Sequence, residues 1–348
     1  MTSQQGKYKL FAVGALGTFM ATFDGSVMNV ALPGIASDLG VSIDSVAWVV
    51  LSYTVTVISL LLIFGSLVQR TGYGFGYKLG YSLFVLGCGI SGMATSLETL
   101  VIGRIVQASG TAMFAAVGPA MVTDVFPEKE RGKGIGMMVM FVSLGFMLGP
   151  PMGGFILGIW RWSAIFYLAM PVGVAGFIMA TIFFKDYKFT TVDKQLPFVS
   201  SGLMSASLVA LTFGLSFVGD YPLTNIRIWG CALLSLLFLV AFLLKERNQA
   251  KAMIGLSIFK NRRFMTAMLA QQTYFIPFAG TLILLPFYLE NIRGYTPQNV
   301  GGVSGGNPDL HVCFCADSRK ALGQDRDPVA YRSGDDCCGG RSVHPTRF

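Results

Sequence analysis

Charge is what this sequence has least of: 13% of its residues are Asp, Glu, Lys or Arg, against 53% hydrophobic. A soluble globular domain carries about twice that charged share, so the balance excludes one and suits a polytopic helical membrane protein. Histidine is almost missing, with two residues, His311 and His344, both near the end. The apolar part of the chain therefore holds no imidazole for acid–base or metal chemistry. No nucleophile–base pairing or phosphate loop stands out either, so neither an enzyme nor a cofactor is expected. Four of the six cysteines, Cys313, Cys315, Cys337 and Cys338, lie in the same late stretch. Their spacing is unlike that of structural zinc sites, and no metal is expected. No small-residue cleavage site follows a short apolar core near Met1, so the first span reads as retained.

Nine apolar segments can be drawn, at 10–33, 45–68, 77–96, 99–125, 134–158, 163–184, 197–219, 226–244 and 264–289. Each is close to the length that crosses a bilayer as a helix. The fold class expected is all-α and polytopic, with the lipid bilayer as a partner. Lys and Arg exceed Asp and Glu by 26 − 18 = 8, but they sit in short connections and not in one patch, which argues against nucleic acid. Even-numbered connections are basic: Arg70 and Lys78; Lys129, Arg131 and Lys133; Lys185, Lys188 and Lys194; then Lys245, Arg247, Lys251, Lys260, Arg262 and Arg263. Odd-numbered ones carry Arg161, Arg227 and Arg293 singly or no cation. The alternation places the N-terminus in the cytoplasm of a cell with the chain in its (inner) membrane.

Polar residues inside the spans are the candidates for function. Asp24 lies well within the first, where a carboxylate costs about 3 kcal/mol unless protonated, paired or wetted. The alternative is a structural carboxyl bonded to a neighbouring helix. Arg104, Gln107 and Thr111 fall at i, i+3 and i+7 of the fourth span and form one polar face. Arg104 faces a cavity on that reading; snorkelling to the interface is the alternative. Gln271 and Gln272 offer a polar cavity wall on the ninth span. Trp48, Trp160 and Trp162 read as interface residues.

The fifth span carries Gly145-Phe-Met-Leu-Gly149-Pro150-Pro-Met-Gly153-Gly154. Its glycines at i, i+4 and i+8 make a bare stripe for close helix approach, and the prolines should kink the span. The ten residues resemble the fifth-helix antiporter motif of the major facilitator superfamily. Asp24, followed by Val27-Met-Asn29-Val30-Ala31-Leu32-Pro33, resembles the first-helix motif of its fourteen-span drug:proton antiporter branch, and the Trp48-to-Tyr53 entry is typical of that branch. Gly65-Ser-Leu67-Val-Gln69-Arg70-Thr-Gly72-Tyr73-Gly74 resembles the superfamily's cytoplasmic loop motif, but Gln69 replaces an Asp, and Tyr73 and Gly74 replace basic residues. A neutral Gln cannot form the ion pair of the family's charge-relay latch, which should be weaker or differently built. Residues 254–264 resemble the branch's lead-in to the ninth helix.

The resemblance covers about residues 8–297 and implies a domain plan: cytoplasmic 1–9, a six-helix half over 10–184, and a loop with two linker helices over 185–245. A basic loop over 246–263 and the first helix of the second half over 264–289 follow, then a non-family, disordered tail over 290–348. It implies proton-driven export of amphipathic small molecules, with substrate and protons as partners. Asp24 would be the proton-linked acid. Asn29, Arg104, Gln107, Gln271 and Gln272 would line the cavity, and Gly149, Pro150 and Gly153 would govern leakiness. The residues also permit a non-transporting fragment of such a protein.

The tail reads as a frame slip. Taken one base later, His311-Val312 encodes Met or Thr, Cys313-Phe314 Ala or Val, and Cys337-Cys338 Ala or Val, so polar pairs turn apolar. Lys320 and Gln324 each become Lys or Arg, and Arg319 to Pro328 permits Gly-Lys-Leu-x-Asp-Lys-x-Gly-x-Arg, the loop motif again. Genomic sequence read one base later from between about Val300 and Pro308 should therefore encode roughly five more apolar spans of about twenty residues. Stop codons or an absence of apolar spans in that frame would refute the slip.

Overall fold

The computed structural model describes residues 4–185, 187, 198–220, 225–247 and 260–291, all within the unit Met1–Gly305. The tail, with its cysteines and histidines, lies outside the described residues. Nine helices of twenty residues or more are present among the described residues: α1 (Gln4–Leu39), α2 (Trp48–Thr71), α3 (Tyr73–Gly92), α4 (Leu97–Val125), α5 (Arg131–Ile159), α6 (Ser163–Phe183), α7 (Phe198–Asp220), α8 (Ile226–Arg247) and α9 (Arg262–Asn291). Seven of them are long and apolar enough to cross a membrane. Helix α3, expected as a span from sequence, is not among them, and much of α9 lies outside the residues over which this was assessed. For α3 the reason is packing: Tyr77, Tyr81, Phe84 and Cys88 are buried against protein, so glycine and tyrosine replace lipid-facing aliphatics.

Helix ends follow local chemistry. Gly72 closes α2 and opens α3 at φ 88°, a left-handed conformation that a side chain would strain. Ser96 caps α4, its Oγ accepting from the Thr99 amide at 3.3 Å. Helix α5 runs unbroken through Pro150 and Pro151.

The bundle is drawn together by glycine. Helix α3 packs on α4 so closely that a methyl group added at Gly87 would lie 2.5 Å from the Gln107 Cα, and one at Gly103 would lie 2.7 Å from the Ser91 amide nitrogen. One at Gly110 would lie 2.6 Å from the Phe84 nitrogen. This seam lacks the regular stripe of α5, and nothing in the sequence singled it out. The α5 stripe meets α1, not lipid. A methyl at Gly145 would strike Thr22 and Phe23, one at Gly149 would lie 2.5 Å from Ser26 Cβ, and one at Gly153 3.2 Å from Val27. Ser26 Oγ donates to the Phe146 carbonyl at 3.2 Å across the same contact. In lipid, apolar burial drives no association, so contact and hydrogen bonding carry it.

Helices α7 and α8 pair through Ser207, whose hydroxyl donates to the Ser235 carbonyl at 2.9 Å. Helix α7 docks on α2: Ser205 Oγ donates to the Ser59 carbonyl, and Trp48 meets Phe213 at 5.0 Å between centroids.

Gly149→Leu should lower the folded yield and the thermal stability in detergent, since overpacking costs about 1–3 kcal/mol. Gly136→Leu, where an added carbon meets nothing within 4 Å, should leave both near wild type. Equal tolerance of the two would show that the α1–α5 contact does not bear on folding.

Candidate functional site

Two residues of α4, Arg104 and Gln107, meet Asp24 of α1 in the middle of the bundle. Arg104, Gln107 and Thr111 share one face of α4, as the spacing predicts, and all three are buried. Arg104 Nη1 donates to Asp24 Oδ2 at 2.6 Å and to Gln107 Oε1 at 2.7 Å. Gln107 Nε2 donates to Asp24 Oδ1 at 2.9 Å and to Cys88 Sγ at 3.2 Å. Exposure is 3% for Asp24 and 1% for Arg104, so the pair is cut off from solvent and does not snorkel.

Taking two charges out of water costs several kcal/mol per ion, and the attraction repays this only with good geometry and further hydrogen bonds. Those bonds are present. Both Asp24 oxygens are engaged, and the Gln107 amide uses its carbonyl and its NH2 group together. Its orientation is dictated: reversed, the NH2 would face the guanidinium and the oxygen would face the carboxylate. Arg104 is also held from α2, where its Nε donates to the Val49 carbonyl at 3.4 Å. The Tyr53 ring lies face-on to the guanidinium, 4.1 Å from Cζ to centroid. The Tyr53 hydroxyl pairs with Thr111 Oγ1 at 2.8 Å.

The other expected residues lie elsewhere. Asn29 is half-buried and outside the network, its Oδ1 buried without a hydrogen-bond partner among the described residues. Gln271 and Gln272 are exposed on α9 and do not join Asp24 and Arg104. Pro150 and Gly154 are buried. In the loop motif Gly65 has open space around it, and Gln69 and Arg70 are exposed. At that end Tyr73 Oη donates to Asp124 Oδ2 at 2.6 Å, and Lys7 pairs with Glu130 beside the Phe126 ring. At the far end Asp38 Oδ2 accepts from Arg161 Nη2 and Trp162 Nε1, each at 2.7 Å. The two Trp residues expected at the interface therefore divide: Trp160 is exposed, while Trp162 is buried because Asp38 takes its N–H.

Sequence reasoning missed Tyr53, Val49 and Cys88. Tyr53 was visible only as part of a pattern; a backbone carbonyl carries no signal, and a buried cysteine reads as a small hydrophobe.

Residues 14–306 match the sequence pattern described as "Major Facilitator Superfamily". The chain belongs to this superfamily. Among its curated relatives in the superfamily, it is 30% identical over 306 residues to the "Riboflavin transporter RibZ" of Clostridioides difficile, covering 88% of this chain and 66% of the relative. It is 30% identical to the "Multidrug resistance protein Stp" of Mycobacterium tuberculosis, covering 84% and 54%. It is 28% identical to the "Multidrug resistance protein 3" of Bacillus subtilis, covering 87% and 61%. The chain thus spans between about half and two thirds of the length of these relatives. Among solved structures, a peptide transporter POT in complex with sulfate aligns with a TM-score of 0.62 over 93% of this chain and 70% of its own, at 14% identity. That likeness shows the superfamily fold alone. The protein is a multi-pass, all-α membrane protein, its described bundle consistent with the N-terminal half of the fold.

A double-mutant cycle tests the central pair. Asp24→Asn and Arg104→Gln should each cost about 3–5 kcal/mol of thermal stability by leaving a buried charge unpaired. The double variant should recover about 2 kcal/mol of the summed loss. Additive losses would mean that the two charges are solvated separately.

Proposed function

We propose that this chain carries the proton-linked half of a secondary active transporter, which exports amphipathic drug-like small molecules in exchange for protons. The observation that supports this most is the buried carboxylate of Asp24, shared between Arg104 and Gln107 inside the spans. Intramembrane acids of this kind mark ion pathways and proton relays. Charged, Asp24 draws α1 onto α4 through both oxygens. Protonated, it loses the ionic part of that attraction, while the glycine contact of α1 with α5 contains nothing that titrates. Proton binding therefore loosens one side of α1 and leaves the other intact, which is the asymmetry that alternating access needs. The relatives named as multidrug resistance proteins and as a riboflavin transporter support small organic molecules as the cargo.

On this reading residues 10–184 are the six-helix half, α7 and α8 are the two linker helices of the fourteen-span branch, and α9 begins the second half. The N-terminus is cytoplasmic, and the frame slip accounts for the tail. Asn29, Gln271 and Gln272 line a cavity that the rest of the second half completes. A second reading, a non-transporting fragment, draws on the exposure of Gln271 and Gln272.

Asp24→Asn should abolish proton-gradient-dependent efflux from inverted vesicles while leaving membrane insertion intact, because an amide keeps the shape but cannot cycle a proton. Undiminished, proton-coupled efflux by this variant would overturn the assignment. Absence of efflux from the unaltered chain, with rapid proteolysis, would favour the fragment.

A further inference from the structure

Arg104 is held from two sides by different means. Asp24 on α1 and Gln107 on its own helix bind it through Nη1, whereas α2 binds it through the Val49 carbonyl and the face of Tyr53, one helical turn apart. The titratable or charged groups facing this site are Asp24 from α1, Tyr53 from α2, Cys88 from α3 and Arg104 from α4, while the strip of α5 packed on α1 alongside is glycine. When Asp24 takes a proton, Arg104 keeps its charge and loses its only carboxylate among the described residues. A buried cation without a partner is strongly disfavoured, so something must hold it if Asp24 is to be protonated at all.

We infer that Tyr53 is the positioning residue that makes Asp24 protonation possible, by offering Arg104 an aromatic seat that does not depend on the proton. The inference rests on the proton-linked role of Asp24 given above. A ring face carries the negative part of the aromatic quadrupole and attracts a cation. With Asp24 charged, the ring faces a near-neutral ion pair; with Asp24 protonated, it faces a bare guanidinium. Its attraction is therefore greater in the protonated state and tips the equilibrium toward proton uptake. The Tyr53 hydroxyl points away from the guanidinium to Thr111, seven residues beyond Arg104 on α4, so the seat is the ring and not the hydroxyl. The Gln107 carbonyl and the Val49 carbonyl remain as neutral acceptors in both states.

The test varies the ring's charge distribution without changing its shape. Tyr53→Phe, and phenylalanines bearing one, two and three ring fluorines at the same position, are made in the full chain and placed in lipid nanodiscs. Protonation of Asp24 is followed with pH through the carboxylic C=O infrared band, identified by its loss in Asp24→Asn. Tyr53→Phe should titrate near wild type. Fluorination should move the midpoint stepwise to lower pH, by about one unit, or a tenfold loss of proton affinity, for the trifluorinated ring. Tyr53→Leu should move it at least as far, and a purely structural ring would give no graded shift. A midpoint that ignores fluorination, or one that shifts fully in Tyr53→Phe, would overturn the seat while leaving the proton-linked reading standing. A carboxyl that never titrates in any variant would overturn both.

Discussion

The structure depends on one ion pair kept where charge is costly. Asp24 and Arg104 are tolerated inside the bundle because the Gln107 amide bridges them, donating to one and accepting from the other. Without that bridge one carboxylate oxygen and one guanidinium direction would be left to an apolar interior. The residue that satisfies the charges also ties α1 to α4, so electrostatics and helix packing cannot be separated here.

Such a short contact requires helix backbones closer than aliphatic side chains allow. Glycines at 87, 103 and 110 bring α3 and α4 together, which places Cys88 within reach of the Gln107 amide. Those at 145, 149 and 153 bring α5 against α1 on the side turned from the pair. Over the middle of its length, helix α1 is therefore gripped by shape on one side and by charge on the other. Water cannot supply either grip in a bilayer, where missing backbone or side-chain partners are not replaced.

Much of this was legible in the sequence, because membrane spans and small-residue stripes are periodic and the few interior charges stand out. The limits of legibility are instructive. The first span was drawn as 10–33, yet α1 runs from Gln4 to Leu39, since Lys7 and Asp38 are neutralised by Glu130 and Arg161, partners distant in sequence. The third was drawn as 77–96, yet α3 starts at Tyr73, because Gly72 turns the chain at a positive φ. Arg104, Gln107 and Thr111 were readable as one face because the helical period groups them. Tyr53 and Val49 were not, since what they offer is a ring face and a carbonyl brought in from another helix.

The glycine seam between α3 and α4 has a consequence for natural variation. An atom added at Gly87, Gly103 or Gly110 would meet main chain, which cannot swing aside as a side-chain tip can. Even alanine is thus no conservative replacement there, whereas Gly132, Gly202 and Gly230, with open space around them, are free to drift. Two glycines of equal rarity to a mutation scan thus belong to different genetic classes. Damaging alleles should gather along the seam that holds Gln107 in place and be sparse on the outward faces of the same bundle.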